Sequence, residues 1–417
     1  MHQAPFTWYS QKGQLDLPPG YENGNNLRFS RKIGLECTSC HNAMPTGFVK
    51  GSINKYKKVP GAIDCERCHG PGQLHVKRMS SGQQVDTSRQ TDYSIVNVKK
   101  LPADLQFEVC QRCHLQGNSV LARGKSFMDF KPGMRLNEVM DIYLPRYAHA
   151  EDDFIMASHV DRFKQSRCVV GSDHGFNCIS CHNPHVSVRE TKIERFNKTC
   201  GSCHKGAPSH ECTENAKTLQ DAAYNCVKCH MPQSTSTDIP HVTVHDHKIK
   251  VPGKVKDTTG LKQFLELVAV NNTNPGYRSK AMAYLQQFEK FEPRLFYLDS
   301  AAYFLNRMGP VNRYIPLWVH YYFLKNDLAA IKEVVAKIGR EKVLSELTEK
   351  SYDNRHGWAA YRIGEALRQL GDHPGAELFL KRATVLVPFN LILGKIRQCP
   401  GRHAALRFGR KSLPGGA

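Results

Sequence analysis

Apolar positions fall at helical spacing only in the second part of this 417-residue chain. Segments 277–291, 293–308, 314–324 and 327–338 read as amphipathic helices, and a further helical pair spans 357–390. Ahead of them aliphatic periodicity is low. Turn signals such as Leu17-Pro18-Pro19-Gly20, Gly70-Pro71-Gly72 and Lys131-Pro132-Gly133 punctuate the chain, so the pattern predicts short helices joined by irregular loops. The most apolar window, 383–394, is broken by Pro388 and falls short of the roughly 18 residues a spanning helix needs, so no transmembrane segment is expected.

Composition sharpens that division. Residues 1–250 hold 14 of the 15 Cys and 16 of the 20 His, and the remaining 167 residues hold one Cys and four His. The shift predicts a domain boundary near residue 255.

Twelve of the cysteines fall into one motif: Cys37-Thr-Ser-Cys40-His41, Cys65-Glu-Arg-Cys68-His69, Cys110-Gln-Arg-Cys113-His114, Cys178-Ile-Ser-Cys181-His182, Cys200-Gly-Ser-Cys203-His204 and Cys226-Val-Lys-Cys229-His230. C-x-x-C-H is the attachment signature of a c-type haem. Two thiols at that spacing can each add to one porphyrin vinyl group, and the following imidazole becomes the proximal iron ligand. A zinc hook gives no role to a His after every second Cys. A redox dithiol would occur once, beside a βαβ pattern. The motifs therefore predict six haem c groups. A segment of this kind builds little core of its own, because porphyrins supply much of its apolar interior.

Each iron has a second axial position, and 14 His lie outside the motifs. Nine of them, His75, His149, His159, His174, His185, His210, His241, His245 and His247, lie between the second motif and residue 250. His185 follows His182 too closely to reach the opposite face of the same porphyrin, and the same holds for His75 after His69. Each is expected to serve another haem. Among the remaining cysteines, a bridge between Cys168 and Cys212 and a pair of buried thiols are both open readings, since haem attachment takes place where disulfides persist.

Three stretches carry a family resemblance: Cys65-Glu-Arg-Cys68-His69-Gly-Pro-Gly-Gln-Leu-His75; Ser166-Arg-Cys168 leading to Cys178-Ile-Ser-Cys181-His182-Asn-Pro-His185; and Cys226-Val-Lys-Cys229-His230-Met-Pro followed by Asp238-Ile-Pro-His241 and Asp246-His247. They resemble multihaem cytochromes c related to the nitrifier tetrahaem cytochrome that accepts electrons from hydroxylamine oxidoreductase, in the form fused to tetratricopeptide repeats. The resemblance implies His75, His159, His185, His241 and His247 as distal ligands and leaves the sixth open among His149, His174, His210 and His245. It also leaves open a further haem motif upstream.

The second part matches one tetratricopeptide repeat over 357–390, with Gly364 and Ala366 on the first helix, Gly371-Asp372 at the turn, Ala376, Phe379 and Ala383 on the second helix and Pro388 at the close. Asp327 imitates that turn, so the helices before it read as degenerate repeats stacked beside the clear one. The expected fold is mainly α: a multihaem cytochrome c domain of short helices and long irregular loops over 1–255, a helical repeat-like domain over 256–394, and a basic tail over 395–417.

The formal charge of +20 falls to roughly +14 or +8 once six haems bring their propionates. With no aromatic-basic motif, nucleic acid is not an expected partner. An acidic redox protein docking on the helical domain is, and self-assembly into a haem wire stays open without a signal in the sequence. Residues 1–8 carry neither a basic n-region nor an apolar h-region, yet haem attachment requires export to periplasm, cell surface or beyond. The sequence as given is therefore expected to start inside a longer precursor or at an internal Met. The function expected is electron transfer through mostly bis-His haems. The alternative is a multihaem reductase or oxidase acting on a small nitrogen or sulfur compound at one five-coordinate haem.

Overall fold

The computed structural model describes residues 1–389 except 23–25, 27, 45–46, 60, 151–156, 173–174, 205–211, 236–241 and 254–261. It is mainly helical, and it divides into two compact units. The first holds Met1–Phe48 and Asn54–Tyr297; the second holds Val49–Ile53 and the chain from Leu298.

In the first unit a hairpin pairs Thr7–Tyr9 with Gln14–Asp16, turning at Gly13 in the left-handed region that glycine tolerates. A three-stranded antiparallel sheet runs in the order Asn118–Leu121, Met140–Tyr147, Phe264–Ala269. Helix Tyr277–Gln286 packs on the first of these strands, where the Asn118 amide donates to the Ala283 carbonyl at 2.7 Å. Residues 264–297 therefore belong to the first unit, whereas the composition shift puts the boundary at 255. Cysteine and histidine counts follow the motifs; the sheet follows backbone pairing, which composition does not record.

The apolar core of this unit gathers Phe107, Leu115, Leu121, Phe130, Leu136, Val139, Ile142, Val160 and Phe163. Each fully buried side chain of this size contributes about 2 kcal/mol of transfer free energy. Helix Ala103–His114 supplies Phe107 from one face and starts directly after Pro102, which cannot continue a helix backwards. Beyond residue 170 the character changes. Helices Cys178–Cys181, Ile193–His204, Ala216–Asp221 and Cys226–His230 bury no side chain.

The second unit is a stack of helices: Ile315–Leu324, Leu328–Ile338, Arg340–Glu346, Arg355–Gln369 and His373–Leu386. Its core joins Ile315, Val319, Ile331, Val335, Ile363, Leu367, Phe379 and Leu380. Two of its turns are built alike. Asn326 and Gly371 take left-handed φ of 60° and 79°, and the next residues, Asp327 and Asp372, accept from the amides of Ala330 and Gly375 at 3.0 Å. An aspartate N-cap after a left-handed residue ends one helix and starts the next within a single turn.

Candidate functional site

All six C-x-x-C-H motifs sit on helical turns, and in each the His is at or just past the helix end: Leu35–His41, Glu66–His69, Ala103–His114, Cys178–Cys181, Ile193–His204 and Cys226–His230. On a helix, residues three and four apart share a face, so both thiols and the imidazole of each motif project to one side. Asn177 and Asn225 explain why two of these short helices start where they do. Their side chains accept from the amides of Ile179 and Val227 at 3.1 and 3.0 Å, capping helices that begin at Cys178 and Cys226.

The motifs come together at their thiol edges. The Cys40 thiol lies 3.6 Å from the Arg112 carbonyl, and Cys113 lies 4.0 Å from the Ser39 carbonyl, so the first and third motifs touch reciprocally. A hydrogen bond from Cys113 brings the Cys40 thiol down to about 6. Cys110 is likewise hydrogen-bonded to Cys178 and Cys200 to Cys226; burial is the main cause that pushes Cys200 up to about 12. Cys168 and Cys212 are free thiols, so the bridge between them that the sequence left open is not formed. Burial is the main cause that raises both Cys168 and Cys181, and the smaller repulsions from Cys203 and Cys168 place Cys168 near Cys181 and Cys203 instead.

Motif and non-motif imidazoles face one another. The rings of His69 and His185 stack with centroids 6.0 Å apart and planes 5° from parallel, and those of His182 and His247 lie 6.2 Å apart at 28°. His114 meets His159 at 5.4 Å with perpendicular planes, and His159 meets His247 at 4.7 Å. Burial lowers His159 to about 3 and His247 to about 4, which keeps both neutral with a free nitrogen lone pair.

Several of these rings are oriented by the same device. Nδ1 of His69 donates to the Val96 carbonyl at 2.7 Å, His230 to Lys250 at 3.0 Å, His245 to Met231 at 2.7 Å and His247 to His245 at 2.9 Å. A carbonyl only accepts, so the proton is on Nδ1 and Nε2 is left to ligate a metal. Nδ1 of His75 is held by Asp92 at 3.2 Å and Ser94 at 3.3 Å to the same effect. Nδ1 of His159 is buried without a partner. His41, His149, His185 and His204 are exposed. His174, His210 and His241 lie outside the described residues.

Three residues that motif reasoning passes over stand out. Arg67 and Arg112, each two residues before the His of its motif, are buried, and both donate to the Ser39 carbonyl, Arg112 at 2.9 Å. Arg162 is buried too and forms a two-pronged pair with Asp246 at 2.9 and 2.6 Å, fixing the residue that precedes His247. The signal in sequence was the repeated Arg inside two motifs and the acid directly before a candidate ligand.

The donor set fits a covalently attached haem. Each motif offers paired thiols and an imidazole on one helical face, and the helices from Cys178 to His230 rely on no side-chain core of their own. Among the described residues no group of three or more His, Cys, Asp and Glu converges as an ion site. This repeated donor set is the one that covalent attachment of several c-type haems uses. The chain is similar to a curated protein, the multiheme cytochrome MtrA of Shewanella baltica (strain OS185), at 24% identity over 228 residues. The similar region covers 50% of this chain and 62% of that relative. No family model matches the chain, and no solved structure does.

Proposed function

We propose that the chain is an exported multihaem c-type cytochrome that passes electrons along six covalently attached haems between redox partners. The observation that carries this reading is that the rings of His69 and His185, and of His182 and His247, lie with centroids 6.0 and 6.2 Å apart and planes close to parallel. That separation is what two near-coplanar imidazoles would have if each turned its Nε2 to one ion between them at a metal–nitrogen bond of about 2 Å. Each of these pairs joins one motif His to one His from elsewhere in the chain. A haem held this way supplies a one-electron ferric/ferrous couple, and two neutral imidazoles set it at low potential.

The chain's own residues do the rest. The carbonyls of Val96 and His245 fix the ring orientation of His69 and His247, and the Arg162–Asp246 pair anchors the backbone leading into the second of these. Touching thiol edges at Cys40/Cys113, Cys110/Cys178 and Cys200/Cys226 bring the first and third, the third and fourth, and the fifth and sixth attachment motifs side by side, contacts that an electron chain can use. On the same reading the helical repeat-like unit docks an acidic redox protein, and the net positive charge speeds that encounter.

The test is to count and classify the haems. Intact mass and haemochrome absorbance should give six covalent haems, and EPR with magnetic circular dichroism should give predominantly low-spin bis-His iron. A protein without thioether-bound haem ends the proposal. Six haems with a substantial high-spin fraction favour the alternative, chemistry on a small nitrogen or sulfur compound at a five-coordinate iron.

A further inference from the structure

Three arginines are buried among the described residues: Arg67, Arg112 and Arg162. Arg162 is neutralised by Asp246. No ion pair joins either of the other two to a carboxylate among the described residues, and the exposed Asp64 acts on Arg67 only from farther off. Arg67 spends its guanidinium on the Ser39 carbonyl and on the sulfurs of Met44 at 2.7 Å and Met128 at 3.6 Å. Arg112 donates to the same Ser39 carbonyl, and its Nε is buried with no hydrogen-bond partner. Burying a cation without a counter-charge is costly unless something anionic or electron-rich is nearby.

The position of these cations is specific. Ser39 lies inside the first motif, Arg67 inside the second and Arg112 inside the third. The carbonyl between Cys37 and Cys40 is thus gripped by one arginine from each of the next two attachment helices. The last three motifs carry Ile-Ser, Gly-Ser and Val-Lys at the same places. Their one cation, Lys228, is exposed and donates to the Asp221 carbonyl at 2.9 Å.

We propose that Arg67 and Arg112 form a redox-tuning clamp: they bind the first three attachment motifs together on the Ser39 carbonyl and place two buried positive charges beside the three haems attached there, so that these haems accept electrons at higher potential than the three attached between Cys178 and His230. The inference rests on the motifs being haem sites. Its physics is that a fixed cation in a low-dielectric surround stabilises the reduced, more negative form of a nearby redox group. The consequence is a built-in direction, with electrons settling toward the amino-terminal half. Arg67 and Arg112 are positioning and tuning residues, not ligands.

A spectroscopic redox titration of the full holoprotein decides it, with haem count measured first. If no covalent haem is present, the haem reading itself has failed. With six haems present, Arg112→Met should shift the highest-potential components downward and leave the lowest ones in place, and Arg112→Lys, which keeps the charge, should stay near the parent curve. Met128→Glu offers Arg67 a counter-ion while keeping both arginines, and should produce the same downward shift with the clamp intact. Should Arg112→Met lose haem, the Met128→Glu titration stands in for it. An unchanged curve in Met128→Glu, or a lysine variant as depressed as the methionine variant, overturns the proposal.

Discussion

At the scale of single residues, the attachment motifs and the candidate distal histidines are legible in sequence, and which imidazole faces which is not. Cys65, Cys68 and His69 announce themselves because bond geometry fixes their spacing. The imidazole opposite His69 comes from a different attachment segment, and only the fold brings His185 there, in parallel register at 6.0 Å. Sequence distance alone did exclude His185 as a partner of His182. The ring stacking carries this further to a definite expectation. His185→Ala should convert one haem to high spin, and it should be the haem attached at Cys65 and Cys68, while attachment at Cys178 and Cys181 stays complete. EPR on the variant checks the first part. For the second, the same substitution in a chain that also carries Cys65→Ala and Cys68→Ala should add no new high-spin signal; an added signal would assign His185 to some other iron.

Among elements, helix–helix packing in the second unit rests on small residues whose effect opposes their intrinsic preference. Gly364 is in the interior of helix Arg355–Gln369, where alanine would ordinarily be favoured by about 1 kcal/mol. A Cβ built there, however, would lie 2.7 Å from Leu380 Cγ and 3.1 Å from the Leu380 amide nitrogen of the facing helix. The side chain can rotate away but the backbone cannot, so sterics win. Gly364→Ala should destabilise the unit by about 1–3 kcal/mol, read as a lowered urea midpoint at unchanged slope.

The entry to the same helix carries a charge that titrates. Burial raises the Asp353 carboxyl, but Arg355 Nε at 2.8 Å and the Ser351 hydroxyl at 2.6 Å more than offset that, and its pKa ends below the ordinary 3.8. A carboxyl depressed in the folded state stabilises fully above 3.8 and loses that contribution as pH falls through its folded value. Asp353→Asn should therefore cost about 1–3 kcal/mol at neutral pH, with the gap to the parent closing below pH 3.8. Urea midpoints at pH 7 and near pH 3 measure it. A gap that persists unchanged into acid would mean the carboxylate charge is not what stabilises this turn.

The helices Tyr277–Gln286, Ile315–Leu324 and Leu328–Ile338 fall inside the segments 277–291, 314–324 and 327–338; a clear 3.6-residue period survives only in the last, whereas Ile315–Leu324 is apolar on nearly every face and buried without a break from Leu317 to Tyr321. The sheet was not legible. Met140 to Leu144 are buried at consecutive positions, so the strand shows no alternation, and Pro145 argues against a strand at all. Its partner Phe264–Ala269 lies on the far side of three C-x-x-C-H motifs. Arg340–Glu346 was also missed, being a two-turn helix with few apolar positions to reveal a period.

For the whole molecule, the question is where the haem-bearing part ends, and the sheet answers it differently from composition. A chain stopped near residue 255 would keep every C-x-x-C-H motif but lose strand Phe264–Ala269, which pairs with Met140–Tyr147 at five positions from Tyr143↔Ala269 to Tyr147↔Phe264. It would also lose Asn271, whose side-chain oxygen accepts from the Ile142 amide at 2.8 Å, and helix Tyr277–Gln286, against which Asn118 is bonded. The strand Met140–Tyr147 supplies Met140 and Ile142 to the same core as Phe107, on the helix that ends in Cys110, Cys113 and His114. Uncovering that strand therefore loosens the third attachment site and exposes an unpaired edge. The division between the units falls inside helix Leu295–Arg307, whose first turn packs Phe296 and Tyr297 on Phe264 at 5.2 and 5.0 Å, so a stop after Met308 leaves this helix whole. The chain ending at 308 should mature with the same haem count and the same redox titration as the full protein, and the chain ending at 255 should lose haem or aggregate. Equal haem content and equal thermal stability in the two would show that residues 264–297 contribute nothing to the haem-bearing unit. If the 308 chain instead keeps its haems but no longer associates with an acidic redox partner at low ionic strength, partner docking belongs to the helices that follow.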